Sequence, residues 1–154
     1  MRTSAPEISR IAAGVGDEVC GEVFAEQLDS HVGHVFEDCT KQYMWHIITE
    51  KQLPVSFKKI GRWWGNNPKE RREEEVDFIA YSEENAIFGE CKWRNEPVSE
   101  RVLDTLIERA KLFPGFSDIC YILFSKSGFT SALEERATRQ GNVTLVGVDD
   151  MFIY

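Results

Sequence analysis

Apolar residues recur along this chain in two periods, and the switches between them mark out its elements. Over residues 17–29, Val19, Val23, Phe24 and Leu28 fall at helical spacing behind Asp17, a residue suited to cap a helix. A second helix is predicted over 35–51, where Phe36, Cys39, Tyr43, Met44, Ile47 and Ile48 form a stripe wide enough to pack on a sheet. His31-Val-Gly-His34 lies at the junction and reads as a surface or capping pair, since a glycine separates the histidines and no third ligand is near. The period then shortens. Residues 53–64 read as a strand through Val55, Phe57 and Ile60, running into Gly61-Arg-Trp-Trp-Gly65 and a polar loop over 66–72. Residues 76–81 and 86–93 are β-formers on either side of Ser82-Glu83-Glu84-Asn85, which predicts a hairpin. A helix over 97–113 stops at Pro114-Gly115, and a buried strand over 118–125, a helix over 130–140 and a last strand over 143–148 follow. Strand, helix and strand after a hairpin imply a crossover, and hence a mixed central sheet with flanking helices in a three-layer α/β domain.

The hairpin carries polar residues that packing does not require: Asp77 on its first strand, Glu90 and Lys92 on its second. A two-residue loop at Glu83-Glu84 sets Asp77 opposite Glu90 and Glu75 opposite Lys92; a loop at Glu84-Asn85 sets Asp77 opposite Lys92. With a side-chain period of two, either loop leaves 75, 77, 90 and 92 on one face. Two opposed carboxylates repel unless a cation lies between them, and oxygens of this kind suit Mg²⁺ or Mn²⁺. A lysine on the same face would point its charge at whatever the metal holds.

An acid on one strand followed by Glu-x-Lys on the next resembles the PD-(D/E)xK nuclease superfamily, here as Asp77 and Glu90-Cys91-Lys92. A closer resemblance is to the nuclease-like C-terminal domain of archaeal-type P-loop ATPases. It is carried by V-G-H-V-F-E-D (32–38), G-R-W-W-G (61–65), E-E-V-D-F-I (74–79), G-E-C-K-W-R-N-E (89–96) and Y-I-L-F-S-K-S-G-F-T (121–130). The resemblance implies a restriction-endonuclease-like core, Asp77 and Glu90 as metal ligands, and Lys92 as a catalytic group. It also implies DNA as substrate and a P-loop ATPase as partner, in cis or in trans. Glu37, at the edge of the second helix's stripe, matches the acid that the superfamily's first helix brings to the site. The alternative for Glu37 is a rim carboxylate paired with Lys41 one turn on.

Charge limits these options. A net charge of −8 has the wrong sign for binding nucleic acid through bulk electrostatics, so any such contact needs a local basic patch, a metal or a more basic partner. The most basic stretch offers Arg62, Trp63, Trp64, Lys69, Arg71 and Arg72, with Arg94 further on. These form either a base-stacking platform with phosphate contacts, or a core-capping tryptophan with basic residues that balance Glu70 and Glu73 to Glu75. Glu73 and Glu74 are expected in solvent. Ser125-Lys-Ser-Gly128 reads as a strand-end turn more than as a phosphate loop.

Length and composition suit one compact core: 154 residues, 42% hydrophobic and 12% aromatic. Residues 1–16 read as a tether or the tail of a preceding domain, and 17–154 as the nuclease-like domain. No G-x-x-x-x-G-K-[ST] loop occurs within these residues, so the ATPase would lie elsewhere. Cys20, Cys39, Cys91 and Cys120 follow no pairing pattern and are expected reduced, as in a cytoplasmic protein. No apolar run of membrane-spanning length and no signal-peptide pattern is present, so neither a membrane nor secretion is expected. A non-catalytic module that docks nucleic acid or protein for such an ATPase is the alternative to a nuclease.

Overall fold

The computed structural model describes residues 16–50 and 57–152, with side chains from residue 28 onward. The chain forms two compact units, Met1–Val35 and Phe36–Tyr154. In the first, the described residues are the start of helix α1 (Gly16–Thr49), on which Leu28 and Val35 are exposed. The sequence predicts two helices here, and the structure has one continuous helix. Gly33, the expected break, costs a helix only about 1 kcal/mol relative to alanine. No proline reinforces it, and a long helix absorbs the loss. His31 and His34 therefore lie one turn apart within the helix rather than at a junction.

In the second unit a five-stranded sheet has the order β1 (Lys59–Asn67), β2 (Arg72–Tyr81), β3 (Asn85–Lys92), β4 (Asp118–Ser125) and β5 (Val143–Gly147). The first three strands pair antiparallel and the last three parallel, as the mixed-sheet reading expects. The parallel steps are made by α2 (Glu100–Ala110) and α3 (Ser131–Gln140). Residues 51–56, which include the end of the expected second helix and the start (53–56) of the expected first strand, lie outside the described residues. The expected loop over 66–72 narrows to a four-residue turn over 68–71: β1 runs on to Asn67, whose Oδ1 accepts from the backbone N–H groups of Lys69 (3.0 Å) and Glu70 (3.3 Å), and β2 begins at Arg72. That closes a tight turn with Arg71 in the left-handed region (φ 53°). Glu73 to Glu75 are consequently strand residues.

The two faces of the sheet hold separate clusters. Phe78, Ala80, Ile87, Ile122, Phe124 and Val146 pack with Phe36, Met44 and Ile47 of α1. Val76, Ile79, Ala86, Phe88, Tyr121 and Leu123 pack with Leu103, Leu106 and Ala110 of α2 and Leu133 of α3. This is a three-layer α/β fold. Burial rather than propensity holds it: α2 is amphipathic, and its buried leucines contribute roughly 1.5–3 kcal/mol each. The turn at Ser125 behaves as a strand end. Ser125 Oγ donates to the Gly128 carbonyl (2.8 Å) and accepts from Ser127 N–H (3.2 Å), with Gly128 at φ 79°.

Among the described residues Cys39, Cys91 and Cys120 are free thiols, and no helix is long and apolar enough to cross a membrane.

Candidate active site

The β2–β3 hairpin closes on Glu83-Glu84, with Ser82 N–H donating to the Asn85 carbonyl (2.9 Å) and Tyr81 paired with Ala86. Its ladder runs only as far as the pair Phe78 and Gly89. That pair has no room for a second side chain, because a Cβ on Gly89 would lie 1.9 Å from Cζ of Phe78. Beyond it β3 stays paired with β4, while β2 stays paired with β1. Asp77 sits where the β2–β3 ladder stops, and its Oδ2 accepts the backbone N–H of Cys91 (2.7 Å), a side chain in place of the missing strand partner.

A β-bulge decides which residues join it. Between the pairs Gly61–Ile79 and Trp63–Val76, β1 has one residue, Arg62, and β2 has two, Asp77 and Phe78. The extra residue reverses the alternation, so Val76 and Ile79 both face α2 although they stand three positions apart, a spacing that regular alternation would send to opposite faces. The expectation that Glu75 shares a face with Glu90 and Lys92 is therefore corrected, and Glu74 takes that place. Glu74, expected in solvent, is only 5% exposed.

On the α2 face a chain of charges results. Glu90, 6% exposed, accepts from Lys92 Nζ at Oε1 (2.5 Å) and from Arg109 at Oε2 (3.2 Å). Arg109 Nε also donates to Glu74 Oε2 (2.9 Å), and Arg72 Nε donates to Glu74 Oε1 (2.8 Å). Burial and then the Asp77 charge push Glu90 above the usual carboxylate range, and Lys92 and Arg109 pull it back without cancelling them. Glu74 goes the other way. Burial raises it, but the hydrogen bonds and charges of Arg109 and Arg72 outweigh that and hold it below its ordinary value. Arg109, which the sequence reading did not single out, is the hub. Its signal was present, since it follows Leu106 by three positions and Val102 by seven, at the edge of the buried stripe of α2.

On the α1 face Arg62 is bound to Glu75 and approaches Glu37 (3.7 Å). Thr40 there contacts Cys91 Sγ (3.1 Å) and donates to the Glu37 carbonyl (2.7 Å). Burial and the charges of Asp77, Glu37 and Glu90 push the Cys91 thiol far up, despite the Thr40 contact. Asp77, Glu90 and Lys92 are thus gathered within one hairpin, with Glu37 on the other side of the sheet but inside the same field.

The expected nucleic-acid residues are divided. Trp63 packs edge-on against Phe113 (5.0 Å) and belongs to the α2-side core, whereas Trp64 is 74% exposed. Arg62 and Arg72 serve Glu75 and Glu74, Lys69 and Arg71 are exposed on the β1–β2 turn, and Arg94 lines a cavity with Lys92.

As a metal site, the hairpin offers two carboxylates. Among the described residues no group of three or more His, Cys, Asp and Glu side chains gathers to hold an ion. Two carboxylates from adjacent strands, with Asp77 charge acting on Glu90, fit a hard cation that draws its other ligands from water and phosphate oxygens.

A family described as archaea bacterial proteins of unknown function, DUF234, matches residues 1–106. The chain belongs to DUF234. Over 92 residues this DUF234 chain is 34% identical to the uncharacterized protein MJECL04 of Methanocaldococcus jannaschii, a match covering 58% of the chain and 19% of that protein. It therefore spans about a fifth of that relative's length. It is also similar to a crystal structure of a protein of unknown function, AF1548, with a TM-score of 0.41 and 18% identity over 73% of this chain and 64% of that one.

Proposed function

We propose that this domain is a metal-dependent phosphodiesterase of the PD-(D/E)xK type acting on DNA, with Asp77 and Glu90 as ligands of Mg²⁺ or Mn²⁺ and Lys92 beside them. The observation that carries the reading is that Asp77, bound to the backbone N–H of Cys91, and the paired Glu90 and Lys92 on either side of that residue all lie where the hairpin ladder ends, close enough for the Asp77 charge to raise Glu90. Bound there, the cation would lower the pKa of a water and offset charge developing on the phosphate. Arg109 holds Oε2 of Glu90 and so fixes the carboxylate's orientation. Lys92, now on Oε1, is the group that must turn toward a phosphate oxygen when Glu90 is occupied elsewhere. Glu37 assists at a distance, through the field it shares with Asp77 around Cys91. The resemblance to the ATPase-linked domain supports work alongside a P-loop ATPase in cis or in trans.

A specific observation favours a second reading. Both Glu90 oxygens already accept from cations of this chain, and the net charge is −8, as suits a non-catalytic module docking nucleic acid or protein for the ATPase.

The test is cleavage of single-stranded, duplex and branched DNA with Mg²⁺ or Mn²⁺. The hydrolase reading expects wild type to cut and Asp77→Asn and Lys92→Ala to fall by at least about 100-fold. Wild type that cuts none of these substrates, yet binds DNA equally with and without Glu90→Ala, would establish the docking module instead.

A further inference from the structure

We propose that the cavity beside Lys92 is a site for one backbone phosphate of a nucleic acid, gripped by Arg94 and Arg101 above a floor formed by Arg109. The proposal rests on the phosphodiesterase reading and deepens it by naming the residues that hold the substrate. A cavity of about 240 Å³ is lined by Lys92, Arg94, Arg101 and Arg109 with Glu90 as its one acid. In a chain of net charge −8, this is a local excess of positive charge. Glu90 is shared by Lys92 and Arg109, and among the described residues Arg94 and Arg101 have no ion pair. Arg109 is also held by Glu74, so four cations face two carboxylates; the charge left over falls on Arg94 and Arg101, and an anion between them offsets their repulsion.

Guanidinium groups favour phosphate, whose oxygens accept from them in pairs. The site is built on fixed backbone: the Arg94 carbonyl accepts from Ser127 Oγ (2.6 Å), and Arg101 stands in the first turn of α2. Ser99, the N-cap residue of α2, makes no side-chain cap hydrogen bond and lines an adjoining cavity of about 140 Å³ with Lys92 and Arg94. The positive end of the α2 dipole adds to the same field, against the carboxylates of Glu96 in that cavity and of Glu100 in the first turn, the latter within 3.8 Å of Arg136. The cavity is a shallow recess of about 240 Å³, with room for a single phosphate whose chain continues outside.

The experiment measures binding by the full chain, in EDTA, of a labelled single-stranded oligodeoxynucleotide, of a mononucleotide 5′-phosphate and of inorganic phosphate. The probes are compared across wild type, R94Q/R101Q and R139Q, the last removing an exposed charge on α3. Expected is at least ten-fold weaker oligonucleotide binding in R94Q/R101Q, less than two-fold loss in R139Q, and weaker binding of the two small probes to wild type. Unchanged binding in R94Q/R101Q, an equal loss in R139Q, no binding by wild type, or small probes that bind as tightly as the oligonucleotide would each overturn it. Cleavage by wild type and Asp77→Asn is scored separately. Cutting that depends on Asp77 with R94Q/R101Q binding intact sinks the phosphate site alone; R94Q/R101Q binding loss without cutting sinks the hydrolase reading alone.

Discussion

The two faces of the sheet treat neighbouring glutamates of β2 in opposite ways. Glu75 faces α1 and meets Arg62 at a partly solvated edge, with side chains 44% and 37% exposed. Glu74 faces α2, almost wholly covered, and is held by two arginines, one of which also holds Glu90. Adjacent residues of one acidic run thus have unlike energetic weight, because water screens one pair and is kept from the other. The lesson is that the charges of this domain matter in proportion to what covers them.

The largest expected effect attacks the covered side. Arg109→Met should destabilise the domain by about 3 kcal/mol, near the lower end for breaking a buried ion pair, since Glu74 keeps Arg72 and Glu90 keeps Lys92. Urea unfolding checks it, and a loss no larger than that of Arg62→Ala would erase the contrast between the faces.

Next comes the pair at the end of the ladder. Gly89→Ala should cost roughly 1–3 kcal/mol through its collision with the Phe78 ring. Adding Phe78→Leu should recover part of that loss in the same unfolding assay, whereas additive losses would mean that the ring does not set the limit.

The two carboxylates that share Arg109 should respond to pH with opposite signs. Glu74 lies below its ordinary 4.5 in the folded chain, so its contribution is present above that value and lost as pH falls through the folded one. Glu90 lies above 4.5, so the folded state keeps its proton longer, and stability declines as pH rises from 4.5 through the raised value. Glu74→Gln should flatten the acid-side loss and Glu90→Gln the decline above it, read from urea midpoints across the acid range. Equal changes in both limbs for either variant would contradict the assignment.

The smallest effect belongs to the open side. Arg62→Ala should cost less than about 1 kcal/mol and should fade further in high salt, as a partly exposed pair does.

Much of this was legible in the amino-acid pattern. The hairpin, β4, α3 and β5 follow from turn residues and hydrophobic period, which act over a few neighbouring positions, whereas the loop was open between Glu83-Glu84 and Glu84-Asn85 and the structure takes the first. The sequence also brought Glu90 and Lys92 to one face, since two residues of one strand need no partner to agree. The continuous α1 was not legible, because a lone glycine marks a break as readily as a tolerated weakness.

What the chain determined by itself is the set of elements and the polar residues of its central hairpin, all encoded locally. The tertiary structure alone decided which acids meet there. The bulge at Asp77 and Phe78 exists through pairing with β1, and it moved Glu74 inward and Glu75 outward. Arg109 joins Glu74 across 35 residues of sequence, and no local period shows that α2 will lay it over the two buried carboxylates.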